Sequence, residues 1–89
     1  MTACRRVEYS GCVQGVGFRW TAARLARNHA VVGYVKNLPN GSVEVVAEGP
    51  AGDIDSFLSD IEQAMRGYIE NRAGRDEPVQ GFRGFRIEY

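Results

Sequence analysis

Apolar and polar residues alternate from Arg6 to Val13, with Val7, Tyr9, Gly11 and Val13 on one side and Arg6, Glu8, Ser10 and Cys12 on the other. A period of two is that of a half-buried strand. The pattern breaks at Gln14–Gly15–Val16–Gly17, and from Phe18 the spacing turns helical, with Phe18, Ala22, Leu25, Ala26 and His29 along one face. Arg24 and Arg27 fall on the other face, where solvated helix charges are the ordinary reading. Val31 to Leu38 is β-branched and aromatic and predicts a strand. Pro39–Asn40–Gly41 is turn chemistry, and Val43, Val45 and Ala47 alternate with Glu44 and Glu48 to complete a hairpin.

A second helix is predicted from Pro50–Ala51–Gly52–Asp53, with Asp53 as its N-cap and Gly67 as its stop. Ile54, Phe57, Leu58, Ile61 and Met65 keep the 3.6 period within it. Phe85, Ile87 and Tyr89 alternate with Gly84, Arg86 and Glu88, so the tail predicts a strand. A fourth strand between Tyr68 and Arg75 is weakly written, and Gly74–Arg75–Asp76–Glu77–Pro78 reads as a loop. The order is β-α-β-β-α-β. Helices with one apolar face and strands with one polar face call for an α+β two-layer sandwich, both helices on one face of a mainly antiparallel sheet: the ferredoxin-like plan.

Length adds that residues 1–89 make one domain, since nothing marks a linker. The longest apolar stretch, Ala30–Val35, falls far short of the ~20 residues of a membrane span. Met1–Arg6 has charges but no apolar run behind them, so no signal peptide is expected and the chain is assigned to the cytoplasm. Eleven basic residues balance eleven acidic ones, a poor footprint for a nucleic-acid binder. The charge is unevenly split. Residues 1–45 hold Arg5, Arg6, Arg19, Arg24, Arg27 and Lys36 against only Glu8 and Glu44, a net of +4 that could draw in a small anion.

Cys4 and Cys12 are eight residues apart in one predicted strand, ~26 Å at ~3.3 Å per residue, whereas a disulfide tolerates ~7 Å between Cα atoms. With His29 the only histidine, no Cys/His zinc cluster can be assembled, and no structural metal is expected.

The chemistry concentrates where the first strand runs into the first helix. Glycines at 15 and 17 let the backbone take unusual conformations and let a ligand approach closely. The first N–H groups of a helix are unpaired and partly positive, so loop and helix start together form a cradle suited to an anion. Arg19 in the first turn opposes the helix dipole, yet would add a forked, permanent charge to a bound phosphate. Two better-known phosphate motifs fail: Trp20 stands where the dinucleotide fingerprint has its third glycine, and no Gly-Lys-Ser/Thr of a P-loop is present. On these residues alone, a strand-to-helix turn that needs small residues is an equal reading. Asn37, ahead of a Pro-Asn-Gly turn, reads as an ordinary turn residue.

The heptapeptide Val13–Gln14–Gly15–Val16–Gly17–Phe18–Arg19, followed by Gly33–Tyr34–Val35–Lys36–Asn37 and Asn40–Gly41–Ser42–Val43, closely resembles the acylphosphatase family over about Val7 to Pro50. The resemblance implies hydrolysis of acyl phosphates to carboxylate and inorganic phosphate, without metal or organic cofactor. It implies that Arg19 and the backbone of Gly15, Val16, Gly17, Phe18 and Arg19 bind the phosphate, and that Asn37 holds the attacking water. The implied partner is a small acyl phosphate, with no nucleic acid and no membrane. Small size and alternating polar faces favour a monomer.

Some positions depart from the family pattern. His29 and Ala30 stand where an aliphatic residue and a helix-closing glycine are usual, Tyr34 where Trp is common, and Gly67–Tyr68 where Gly-Pro is usual. An alanine would be strained in a left-handed helix end, so the first helix is expected to close differently. His29 reads as a packed boundary residue. Trp20 could face solvent or wall the acyl group, and Ser42 could brace the Asn37 segment or serve the turn. Two other functions fit the same order of elements. One is a non-catalytic acylphosphatase-like regulatory or binding module. The other is an RRM-like RNA-binding module, disfavoured by zero net charge and by Arg86 standing where the RRM signature has a small residue.

Overall fold

In the computed structural model, which describes residues 2–89, the first alternating segment forms β1 (Thr2–Gly11) and the helical pattern forms α1 (Phe18–Leu25). A hairpin of β2 (Val32–Asn37) and β3 (Val43–Pro50) follows, then α2 (Ala51–Ala64), β4 (Ile69–Glu77) and β5 (Phe85–Glu88). The five strands lie in the order β4-β1-β3-β2-β5. All neighbours are antiparallel except β2 and β5, which run parallel with Lys36 opposite Glu88. The predicted sandwich is present, and the tail supplies two strands rather than one.

One sheet face and both helices share the core. Val7, Tyr9, Val35, Val43, Val45 and Ala47 meet Phe18, Ala22 and Ala26 of α1 and its extension, and Ile54, Phe57, Leu58 and Ile61 of α2. Each fully buried large side chain contributes roughly 1.5–3 kcal/mol. The other sheet face is covered in part by residues 78–84. Glu48, almost fully buried, accepts the backbone N–H of Gln80 (2.7 Å) and Gly81 (2.9 Å), and the Phe82 ring meets Tyr34 edge-on at 5.9 Å.

Two expectations change, and the one for the end of α1 is met. The segment Gly74–Glu77, predicted as loop, is the second half of β4. This strand lies at the sheet edge with most side chains exposed, so no apolar alternation marks it; its backbone ladder to β1, from Cys4–Glu77 to Ser10–Asn71, defines it instead. Asp53 is not the N-cap of α2. Pro50 occupies that place, and Asp53 sits in the first turn, where its charge favours the helix dipole and its Oδ1 accepts the Ala30 N–H (3.4 Å). The α1 end avoids a left-handed residue: Ala26–Asn28 tighten into a 3₁₀ turn and His29 leaves extended, at φ −136°. His29 is then pinned between the elements, its Nε2 2.7 Å from Asp60 Oδ2 and its ring 5.9 Å from that of Phe57.

Candidate active site

The strand-to-helix loop takes its shape from two left-handed glycines, Gly15 at φ 78° and Gly17 at φ 79°. A Cβ at either would meet open space, so backbone conformation, not crowding, demands glycine there. Between them Val16 packs against the core, and Phe18 is buried with its ring 5.5 Å from that of Tyr9. Apolar anchors thus hold the loop while its backbone stays at the surface. Gly17 is the N-cap residue, and its carbonyl accepts the first helical bond from the Thr21 N–H (3.0 Å). The N–H groups of Phe18, Arg19 and Trp20 therefore have no place in the helix ladder. No acidic side chain sits in the first turn.

These groups border a cleft of about 230 Å³ lined by Val13, Gly15, Gly17, Phe18, Arg19, Trp20, Asn37, Ile87 and Tyr89. Five of the six residues expected at the site meet there, although Asn37 comes from the far end of β2. Val16 does not line the cleft, because its side chain belongs to the core. Trp20 combines both roles considered for it: 61% exposed, it also forms part of the cleft wall. Among the described residues lining the cleft there is no Asp or Glu side chain, which suits an anion.

Two further contributions were not apparent from residue types. Gln14 ties the loop to the turn after Asn37, its Nε2 donating to the carbonyls of Leu38 (2.8 Å) and Ser42 (2.9 Å). The backbone of Ser42, rather than its hydroxyl, braces this segment, since its carbonyl also accepts the Leu38 N–H (2.8 Å). Asn40 closes the same turn, accepting the Ser42 N–H (3.0 Å) and donating to Glu8 (3.1 Å). That hydrogen bond, helped by Ser42, lowers the Glu8 pKa below its ordinary value. The second contribution is Tyr89. Parallel pairing of β5 with β2 brings the chain beyond Glu88 alongside the Asn37 end of β2, and the Tyr89 ring lies over the Arg19 guanidinium. The only sequence sign of either was Gln14's place in the heptapeptide and Tyr89's place in the terminal alternation.

Comparison with known proteins agrees with this geometry. The family model described as "Acylphosphatase" matches residues 5–87. An acylphosphatase from Leuconostoc mesenteroides is 49% identical over 62 residues, 70% of this chain and 69% of its own. One from Vibrio parahaemolyticus is 39% identical over 85 residues, 94% of each chain. The crystal structure of acylphosphatase from Bacillus subtilis superposes over all of both chains with a TM-score of 0.90 at 31% identity. With the family model spanning nearly the whole chain and relatives this similar over most of their length, the chain belongs to the acylphosphatase family.

Proposed function

We propose that the cleft at the start of α1 hydrolyses the carboxyl–phosphate bond of acyl phosphates, with Arg19 and the Gly15–Arg19 backbone binding the phosphate and Asn37 positioning water. The observation that carries this reading is the meeting of Arg19, the two left-handed glycines and Asn37 in one cleft whose described lining has no acidic side chain.

The chemistry asks little more. The departing carboxylate has an ordinary pKa near 4, so strong general-acid assistance is unnecessary. Water attacks phosphorus as the bond from phosphorus to the acyl oxygen breaks. The carboxylate departs with that electron pair, and a phosphoryl oxygen takes the water's proton. Catalysis is then positioning plus neutralisation of phosphoryl charge. Arg19 offers a forked donor and the helix start offers backbone N–H groups. The Asn37 amide offers both an acceptor and donors to one water. No step calls for a metal or organic cofactor. Turnover of benzoyl phosphate by the wild type, lost in Arg19→Ala and in Asn37→Ala, tests the reading; turnover retained in both folded variants contradicts it.

A further inference from the structure

A second groove, about 470 Å³, adjoins the phosphate cleft and shares Trp20 and Ile87 with it. Trp20, Ala23, Arg24 and Arg27 recur at helical spacing along one side of it, and Ile87 of β5 stands opposite. An acyl part leaving the cleft past Trp20 and Ile87 would enter this groove.

Its charge is one-sided. Among the described residues, neither Arg24 nor Arg27 pairs with a carboxylate, and no acidic side chain lines the groove. His29, also in the wall, is already engaged by Asp60 on α2, so the two arginines supply the available donors. The Arg24 guanidinium carbon lies 5.3 Å from the Trp20 ring centre, a cation–π contact that draws the two side chains together. At ~1.5 Å rise per residue in α1 and ~2 Å in the 3₁₀ turn, Arg24 and Arg27 stand ~8 and ~13 Å beyond Arg19, and helical side chains lean back toward the N-terminus. A four- or five-carbon acyl chain spans roughly 6–8 Å from phosphorus to a terminal carboxylate at ordinary bond lengths.

We infer that this groove is the acyl subsite and that it favours acyl phosphates whose acyl chain ends in a second anion, Trp20 covering the chain and Arg24 with Arg27 receiving the far charge. The inference rests on the phosphate occupying the adjoining cleft.

Glutaryl monophosphate and valeryl phosphate, alike in chain length and differing in the terminal carboxylate, test it in the wild type and in the Arg24→Gln/Arg27→Gln double variant, with folding checked by thermal melting. At low salt the KM for glutaryl phosphate is expected to be about fivefold lower than for valeryl phosphate, the size of one or two solvent-screened ion pairs. The ratio should approach one in the double variant and shrink for the wild type in 0.5 M salt. A wild-type ratio near one, or a ratio that survives the double substitution, overturns the subsite. If valeryl phosphate is hydrolysed without a preference for the diacid, the subsite alone fails; if neither compound is hydrolysed, the phosphate assignment beneath it fails as well.

Discussion

The Arg19 guanidinium carbon lies 4.9 Å from the centre of the Tyr89 ring, so the side chain proposed to hold the phosphate rests against an aromatic face. The contact joins the first turn of α1 to the chain just past β5, and it depends on β5 lying parallel to β2. A cation over an exposed aromatic ring is worth roughly 0.5–1 kcal/mol. Tyr89→Ala is therefore expected to weaken inorganic phosphate as a competitive inhibitor by about two- to fivefold. An unchanged inhibition constant would show that Arg19 is held without the ring.

Gln14 should matter for both order and turnover. Its two hydrogen bonds clamp the strand-to-helix loop to the turn that follows Asn37. Neutral hydrogen bonds contribute roughly 0.5–1.5 kcal/mol each, so Gln14→Ala is expected to lose about 1–3 kcal/mol. At ~4–8 °C per kcal/mol for a domain of this size, a melting scan resolves that loss. Because the clamp sets the loop against Asn37, kcat should fall more than phosphate affinity. Full stability together with full kcat would remove Gln14 from the account.

Tyr9 should contribute to a loss of stability at alkaline pH. Its side chain is fully buried and its hydroxyl donates to Glu62 (2.8 Å). Burial first, and that hydrogen bond second, push the Tyr9 pKa well above the ordinary tyrosine value. The native state therefore keeps a proton that the unfolded chain releases near pH ~10. The contribution is fully present below that pH and is lost as pH rises toward the folded pKa, at about 1.4 kcal/mol per pH unit. Cys4 and Tyr34 are shifted in the same direction, so some slope should remain in Tyr9→Phe. Denaturant unfolding from pH 8 to 11 should show a shallower decline for this variant than for the wild type. Identical slopes would exclude Tyr9 as a source.

Phosphate itself should act on folding. An anion that binds the folded loop but not the unfolded chain stabilises the protein by ~2.7 kcal/mol at ~100 times its dissociation constant. Inorganic phosphate should raise the melting temperature of the wild type and leave folded Arg19→Ala nearly unmoved, and activity should survive exhaustive chelation. An equal shift in both proteins would place the anion elsewhere. Activity lost in chelator and restored by one divalent ion would contradict a metal-free reaction.

What the sequence reveals follows burial and pattern. β1 and both helices are legible because each buries one face against the core, which writes a period of two or 3.6 into residues such as Val7, Tyr9, Ile54 and Phe57. β4 was half misread because an edge strand with both faces largely in water needs no apolar alternation, and Gly74 mimics a loop residue. Arg19 and Asn37 could be paired because the heptapeptide and the spacing to the second strand form a family signature. Their neighbours could not. Tyr89 reaches Arg19 through a parallel strand pairing, and Gln14 reaches Leu38 and Ser42 across a turn, contacts that local pattern does not encode.

The central claim divides labour between Arg19, which binds phosphate, and Asn37, which holds water, and Asn37→Ala tests it most directly. The measurement is kcat on benzoyl phosphate alongside the inhibition constant for inorganic phosphate, in a variant shown by melting to be folded. The account predicts a kcat lower by ~10²–10³, the scale of a lost positioning or polar contact, with the phosphate constant near wild type. A folded Asn37→Ala with near-wild-type kcat would contradict it and return Asn37 to the role of an ordinary residue at the end of β2.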